Sequence, residues 1–244
     1  MKERLKRFNN LMKCHYNYAF NKAIMAMILA IIFLNLLYNI TIIFNLKNNE
    51  QSYDLYKYYF EATFPLIIFL GNVLIMTVFS YSFLKKQDQY CMLLMTSNIT
   101  KSNIFLSKYF TVIIFTFLFC IMEICGFYIP VFVSNKLTYV NKDILWSFLD
   151  LSFEMLFYGN ISLILVLLFD NFYCVLLPLT IFLLSYNYTI SQGESLNILQ
   201  ILVTFNYKTW RLSQNYGIVI AINLMSIFIS HKIYLKNECW FLFI

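Results

Sequence analysis

Long runs of apolar residues alternate with short polar segments along most of this chain of 244 residues. A helix needs about 20 apolar residues to cross the hydrocarbon core of a bilayer. Runs of that kind occupy residues 23–44, 64–84, 109–133, 145–169 and 172–190. A sixth, shorter run covers residues 215–230, and the basic side chains of His231 and Lys232 after it can extend to the headgroups. The pattern predicts an all-α, polytopic membrane protein with six transmembrane helices.

The fourth and fifth runs are separated only by Asp170 and Asn171. One kinked helix of about 45 residues is the alternative to two helices here. It would place the carboxylate of Asp170 in mid-membrane, which is energetically costly. We therefore expect a tight hairpin between two separate spans.

Residues 1–22 are basic and polar, but apolar side chains recur among them at spacings of three and four. These are Leu5, Phe8, Leu11, Met12, Tyr16 and Phe20. Such spacing is typical of an amphipathic helix on a membrane surface. We expect two units, an interface helix over 1–22 and a six-span domain over 23–244. The helix either anchors the first span or acts as a lever that touches a cytoplasmic partner.

Two segments are predicted to lie at the outer face without crossing the bilayer. Residues 196–205 are nearly all apolar but too few to span, which indicates a re-entrant half-helix before the last span. The segment before the second span is crowded with aromatic side chains. These are Tyr53, Tyr56, Tyr58, Tyr59 and Phe60, which predict an aromatic belt at the outer interface.

Composition excludes a soluble globule, because 61% of the residues are hydrophobic, 12% are charged and the mean hydropathy is +0.68. The lysines and arginines also set an orientation, since they collect on the cytoplasmic side of membrane proteins. With the N-terminus inside, twelve of the 18 basic residues fall in inner segments and six in outer ones. We expect a multi-pass cell-membrane protein with both termini cytoplasmic. Its net charge of +6 then faces anionic lipid, and no nucleic-acid partner is needed.

Sequence motifs for common chemistry are missing. The first span is about 22 residues long and is followed by no small-x-small cleavage site. We therefore expect that it is not a cleavable signal peptide and remains in the protein as a helix. The sequence contains no G-x-x-x-x-G-K-[ST] phosphate loop, no H-E-x-x-H motif, and only two histidines, His15 and His231. We expect no catalytic residues, no metal site and no disulfide in this chain.

Three acidic residues fall within predicted spans: Glu123 in the third, and Asp150 and Glu154 in the fourth. A carboxylate in hydrocarbon is costly, so each should face protein or water. One hypothesis is a hydrogen bond between neighbouring helices, with the amides as partners: Asn35, Asn39, Asn72, Asn160, Asn187 and Asn223. The other is a substrate path for cationic cargo formed by Glu123, Glu154 and Asp150, in which Glu123 and Glu154 meet at one depth and share a proton.

The predicted inner loop over residues 85–108 reads as a short helix around 88–95, a break at 96–98 and a restart near Ser102, a predicted N-cap. Its apolar residues are too many for a solvated loop. They include Leu93, Leu94, Met95, Ile99, Ile104 and Phe105. Such side chains need a groove, in lipid or in another protein.

This loop resembles that of the permease subunits of type 2 ABC exporters. Those carry an acid, paired leucines, a Pro-Ser-Arg-like step, then an Ile and a Lys at the opening of the third span. The matching positions here are Asp88, Leu93, Leu94, Lys101, Ile104 and Lys108, while Asn98 stands where proline is usual. Six spans, inner termini, a first surface helix and an outer half-helix also resemble that family across the chain.

The resemblance implies a membrane half-transporter that works with a separate ABC-type ATPase and as a homodimer or with a second permease subunit. ATP would be hydrolysed by the partner, and this chain would bind no cofactor. Asp88, Leu93, Leu94, Ile99, Lys101, Ile104 and Lys108 would form the ATPase-coupling loop. The cargo implied is an amphipathic peptide, drug or lipid-like substrate, with lantibiotic or bacteriocin immunity as one subdivision. The alternative is a non-transporting immunity or scaffold protein that binds a target within the bilayer, and a membrane enzyme ranks third.

Overall fold

The computed structural model describes most of the apolar part of the chain. The described residues are 8–13, 15–16, 22–45, 59, 63–84, 100–133, 142–183, 205–206, 211–212 and 216–236. Within a few helices some of these are described by their backbone alone.

Almost all described residues are helical. After helical residues 8–13 and 15–16, the helices are α1 (Lys22–Asn45), α2 (Phe64–Ser82), α3 (Lys101–Val133), α4 (Lys142–Phe169), α5 (Phe172–Leu183, opening with a 3₁₀ turn at Phe172–Val175) and α6 (Tyr216–Lys236). Two short strands, β1 (Phe205–Asn206) and β2 (Arg211–Leu212), pair antiparallel between α5 and α6.

Four helices are long and apolar enough to cross a membrane. The apolar stretches are Ile24–Thr41 of α1, Phe64–Ser82 of α2, Lys101–Val133 of α3 and Ser147–Phe169 of α4. These helices confirm the prediction of an all-α fold, and their length and apolar composition are those of a membrane protein. The fifth and sixth predicted spans stay predictions, and residues 184–204, which include the predicted half-helix up to 204, lie outside the described part.

Close packing of small residues brings α4 against α2. A Cβ atom added at Gly159 would lie 2.5 Å from a ring carbon of Phe79, so the α4 backbone approaches that ring as only glycine permits. One turn further along α4, the hydroxyls of Ser162 and Ser80 lie 2.5 Å apart. Lipid tails are as apolar as the helix surfaces, so close packing and hydrogen bonds hold membrane helices together. α4 also packs on α6 and α3, which places it at the centre of the bundle.

The predicted hairpin after α4 is confirmed, and a single kinked helix is wrong. α4 ends at Phe169, and Asp170 adopts a φ of 51°, in the left-handed region where a helix stops. The side chain of Asn171 then accepts a hydrogen bond from the backbone N–H of Tyr173 at 3.0 Å and caps the next helix. Phe182 packs edge-on against Tyr158 with ring centroids 5.1 Å apart, so α5 folds back along α4.

The helical restart predicted near Ser102 is present, and α3 begins at Lys101. Thr100 rather than Ser102 precedes the helix, and its carbonyl accepts hydrogen bonds from the N–H groups of Asn103 and Ile104. The apolar run begins only at Tyr109, so α3 extends about two turns beyond it, over residues that contact the ends of α2 and α6.

Tyr59 also differs from its prediction. It is completely buried, and its ring centroid lies 4.2 Å from that of Phe127 of α3. Tyr59 is therefore a core residue and not part of an exposed aromatic belt. The other four predicted belt residues, Tyr53, Tyr56, Tyr58 and Phe60, lie outside the described residues.

Candidate functional site

The predicted coupling residues divide into two groups. Asp88, Leu93, Leu94 and Ile99 lie outside the described residues. Lys101, Ile104 and Lys108 form the first two turns of α3. What the structure describes is therefore the helix that the predicted coupling loop leads into.

The first turn of α3 is bonded to the end of α6. The hydroxyl of Ser102 and the Nε2 atom of His231 lie 3.0 Å apart, within hydrogen-bond distance. The rings of Phe105 and His231 are also adjacent, with centroids 5.1 Å apart. The two helix ends are thus fixed to each other by both a polar and an aromatic contact.

Lys108 lies one turn further along α3 and is buried, with 3% of its surface exposed. Its ammonium group sits 5.2 Å from the ring centroid of Phe83, which follows α2. A cation over an aromatic face is attracted by the negative face of the ring. Ile104 is completely buried as well. Both side chains therefore face the interior of the bundle, whereas Lys101 is half-buried, and the coupling role of the three residues stays a prediction.

Aromatic rings complete this end of the bundle. The Phe105 ring lies 5.4 Å from both Phe83 and Tyr234, and Phe83 and Tyr234 are 6.2 Å apart. We call Phe83, Phe105, Lys108, His231 and Tyr234 the Lys108 cluster. It joins the end of α2, the beginning of α3 and the end of α6. These three termini therefore lie at one end of the molecule.

The N-terminal segment, residues 8–13 and 15–16, packs against this same end. Phe8 contacts Phe110 of α3 edge-on, with ring centroids 6.3 Å apart, and Leu11 is buried. His15 is 7% exposed. Burial, together with the charge of Lys108, lowers the pKa of His15 to about 3. The predicted amphipathic helix thus presents part of its apolar face to α3, while Tyr16 of that face is exposed.

Glu123 lies in a polar cluster between α3 and α1. Its side chain is completely buried, and the amide nitrogen of Asn35 donates to its Oε2 atom at 2.5 Å and to its backbone carbonyl at 3.0 Å. Asn39 donates to the Oδ1 atom of Asn35 at 2.8 Å and to the carbonyl of Gly126 at 3.2 Å. We call Asn35, Asn39, Glu123 and Gly126 the Glu123 cluster. Among the described residues, nothing hydrogen-bonds to the Oε1 atom of Glu123.

Glu154 is partly buried and bonds to a different helix. The amide of Asn72 of α2 donates to its Oε1 atom at 3.3 Å. Within the described part of the chain, no hydrogen bond joins Glu154 to Glu123. The two carboxylates belong to different helix pairs, and this geometry favours interhelical hydrogen bonding over a shared proton. Asp150 lies on α4, but only its backbone is described.

A third polar cluster joins three helices. The Tyr109 hydroxyl of α3 donates to the Oδ1 atom of Asn160 of α4 at 2.7 Å, and Asn160 donates to the Oδ1 atom of Asn223 of α6 at 2.9 Å. Asn223 in turn donates to the Phe153 carbonyl at 3.4 Å. We call Tyr109, Phe153, Asn160 and Asn223 the Asn160 cluster. The sequence predicts that both asparagines bridge helices. It places Tyr109 only at the opening of a span, and the signal for its role in this cluster is its hydroxyl group.

The contacts in these clusters bind helices to one another and fix their relative positions. Among the described residues there is no group of three or more His, Cys, Asp or Glu side chains that could hold a metal ion. Cys120, Cys125 and Cys174, the described cysteines, are free thiols. Comparison with known proteins found no matching family model, no similar curated protein and no similar solved structure.

Proposed function

We propose that this protein is the permease subunit of an ATP-driven exporter of the type 2 ABC kind. It moves an amphipathic peptide, drug or lipid-like substrate with the help of a separate ATPase subunit. The observation that carries the proposal is the Lys108 cluster, which ties the helix after the predicted coupling loop to two other helix ends.

The argument from the cluster to transport is mechanical. A helix transmits displacement along its axis because its backbone hydrogen bonds make it stiff. Movement of residues 85–99 acts directly on Thr100 and the first turn of α3. The Ser102–His231 contact passes that movement to α6, and the Lys108–Phe83 contact passes it to the end of α2. An ATPase that pulls on the loop therefore moves three helices together, as rocking between inward and outward states requires.

The proposal includes the full topology of the chain. α1 to α4 are the first four spans, α5 extended to residue 190 is the fifth and α6 is the sixth, with the half-helix over 196–205 before it. The Lys108 cluster lies at the cytoplasmic end, as the distribution of lysine and arginine indicates. In cysteine-substituted variants, a membrane-impermeant maleimide added outside should label positions 142 and 208 and should not label 86 or 101. The reverse labelling pattern would invert the orientation.

In this proposal the polar clusters hold the helices of the permease together and do not bind the substrate. Glu123 is bonded to Asn35 and completely buried, so the proposed cargo path depends on apolar and aromatic surface and not on this carboxylate. An amphipathic substrate is suited to such a path, because pockets for apolar ligands are mainly lined by hydrophobic side chains.

Isolation of the tagged protein from membranes of the cells that produce it tests this function. We expect an ATP-hydrolysing subunit with a phosphate loop to come with it, and we expect the purified chain alone to hydrolyse no ATP. A preparation with no associated ATP hydrolysis, but with another membrane protein bound in stoichiometric amount, would instead support the non-transporting immunity or scaffold protein. Loss of export on deletion of the gene separates the two further.

A further inference from the structure

The N-terminal segment contacts α3 through a face that combines apolar side chains with a histidine. Phe8, Leu11 and His15 follow each other at spacings of three and four, so they lie on one face of the helical segment. Phe8 packs on Phe110 of α3, and Leu11 and His15 are both buried. The outward face is polar, since Asn9, Asn10 and Lys13 are exposed.

His15 is the residue that sets the condition for docking. Its Nε2 atom is buried and has no hydrogen-bond partner among the described residues. The charged group that acts on it from the neighbouring helix is Lys108, which is itself buried. On its own segment, Lys13 is exposed, and no carboxylate within the described residues acts on the imidazole. A neutral imidazole fits this place, whereas an imidazolium would bring a second positive charge out of water beside the first.

We propose that the N-terminal segment is a pH-dependent latch, docked on α3 while His15 is neutral and released when His15 takes up a proton. The release exposes the side of α3 beside Lys108, the helix at which the predicted coupling loop ends. The latch is a property of the folded chain and does not depend on the transport proposal.

The direction of the pH effect follows from linkage. Burial beside Lys108 lowers the pKa of His15 to about 3 when docked, against an ordinary value of 6.5. The released state binds the proton more tightly, so docking is fully favourable above pH 6.5 and weakens as the pH falls below it. Between pH 7.5 and pH 5, these two values weaken docking roughly 30-fold.

Hydrogen–deuterium exchange on the full-length protein in lipid nanodiscs tests the latch, because both membrane faces are accessible there. The readout is the protection factor of backbone amides in residues 9–16, corrected for the intrinsic pH dependence of exchange. We expect a roughly 30-fold loss of protection from pH 7.5 to pH 5 in the wild type. In His15→Gln, which stays neutral, the change should be less than about twofold over the same range.

His231→Gln is the matched control, since it removes the other histidine of the chain at the same end of the bundle. The segment should keep its full pH dependence in this variant. The proposal is overturned if residues 9–16 are unprotected at pH 7.5, if their protection is independent of pH, or if His15→Gln responds to acid as the wild type does.

Discussion

The Glu123 cluster and the Asn160 cluster both join helices through asparagine amides, but they differ in completeness and in charge. Every side-chain polar atom of Tyr109, Asn160 and Asn223 has a partner, and none of these side chains is ionised at neutral pH. The Glu123 cluster contains a carboxyl group with one oxygen that no described residue satisfies. The Asn160 cluster is therefore closed, and the Glu123 cluster is open.

The position of the two clusters gives this difference a meaning. The Asn160 cluster links α3, α4 and α6 in the centre of the bundle. The Glu123 cluster links α3 to α1, whose outer face exposes large apolar side chains such as Leu29 and Phe33. A closed network suits helices that stay together, whereas an open, ionisable one suits a peripheral helix. We therefore expect α3, α4 and α6 to form a fixed core to which α1 is bound less tightly.

Breaking the closed network should have the largest effect on stability. Asn160→Leu removes two hydrogen bonds inside the bundle, the one from the Tyr109 hydroxyl and the one to the Asn223 Oδ1 atom. We expect a loss of about 2 to 4 kcal/mol in the free energy of unfolding. Reversible unfolding in mixed micelles measures it. The control is Asn103→Leu, because Asn103 is exposed. Equal stability of the two variants would contradict a structural role for the Asn160 cluster.

Substitution of two glycines tests how tightly helices pack in the core and at α1. A Cβ at Gly159 would lie 2.5 and 2.7 Å from two ring carbons of Phe79, which is a rigid and completely buried side chain. A Cβ at Gly126 would lie 2.8 Å from the amide nitrogen of Asn35, the far end of a more flexible side chain. We expect Gly159→Ala to cost about 1 to 3 kcal/mol and Gly126→Ala about 1 kcal/mol in the same unfolding assay. The opposite order would place the tighter interface at α1.

The substitution Glu123→Gln should have the smallest effect, and its comparison with Glu123→Leu shows what the carboxyl group does. Gln keeps an oxygen that accepts from Asn35, so Glu123→Gln should change stability by less than about 0.5 kcal/mol, while Glu123→Leu should lose about 1 to 2 kcal/mol. Export should survive in the Gln variant. A Gln variant that is stable but no longer exports cationic cargo would restore the hypothesis of a substrate site at Glu123.

Much of the architecture could be predicted from the sequence because hydropathy alone determines which segments can enter a bilayer. The four long apolar helices follow from this signal. The hairpin followed from the cost of burying Asp170. The restart of the helix near Ser102 also follows from the sequence, but the burial of Lys108 does not, because this lysine looks like a residue of a solvated loop until Phe83 of another helix covers it.

The sequence predicts which polar residues of the candidate site need hydrogen-bond partners within the membrane, but it does not predict which residues pair with each other. The sequence shows that Glu123 needs a hydrogen-bond partner in the membrane, and it offers several asparagines. The choice of Asn35, 88 residues away, depends on the rotation of two helices about their axes. Nearly uniform apolar faces do not encode that rotation. The burial of Tyr59 was missed for the same reason, since an aromatic residue before a span is compatible with either a belt or a core.

The central claim is that the segment before α3 receives force from an ATPase, and Leu94→Asp tests it most directly. A carboxylate placed in an apolar protein groove costs several kcal/mol, about enough to lose a partner. ATP hydrolysis that co-purifies with the tagged protein is the measurement, with Asn103→Asp as a control that adds the same charge at an exposed position on α3. We predict that wild type and Asn103→Asp retain the ATPase and that Leu94→Asp loses it at least about tenfold, with its helices still folded. Full retention of the ATPase and normal export by Leu94→Asp would contradict the account.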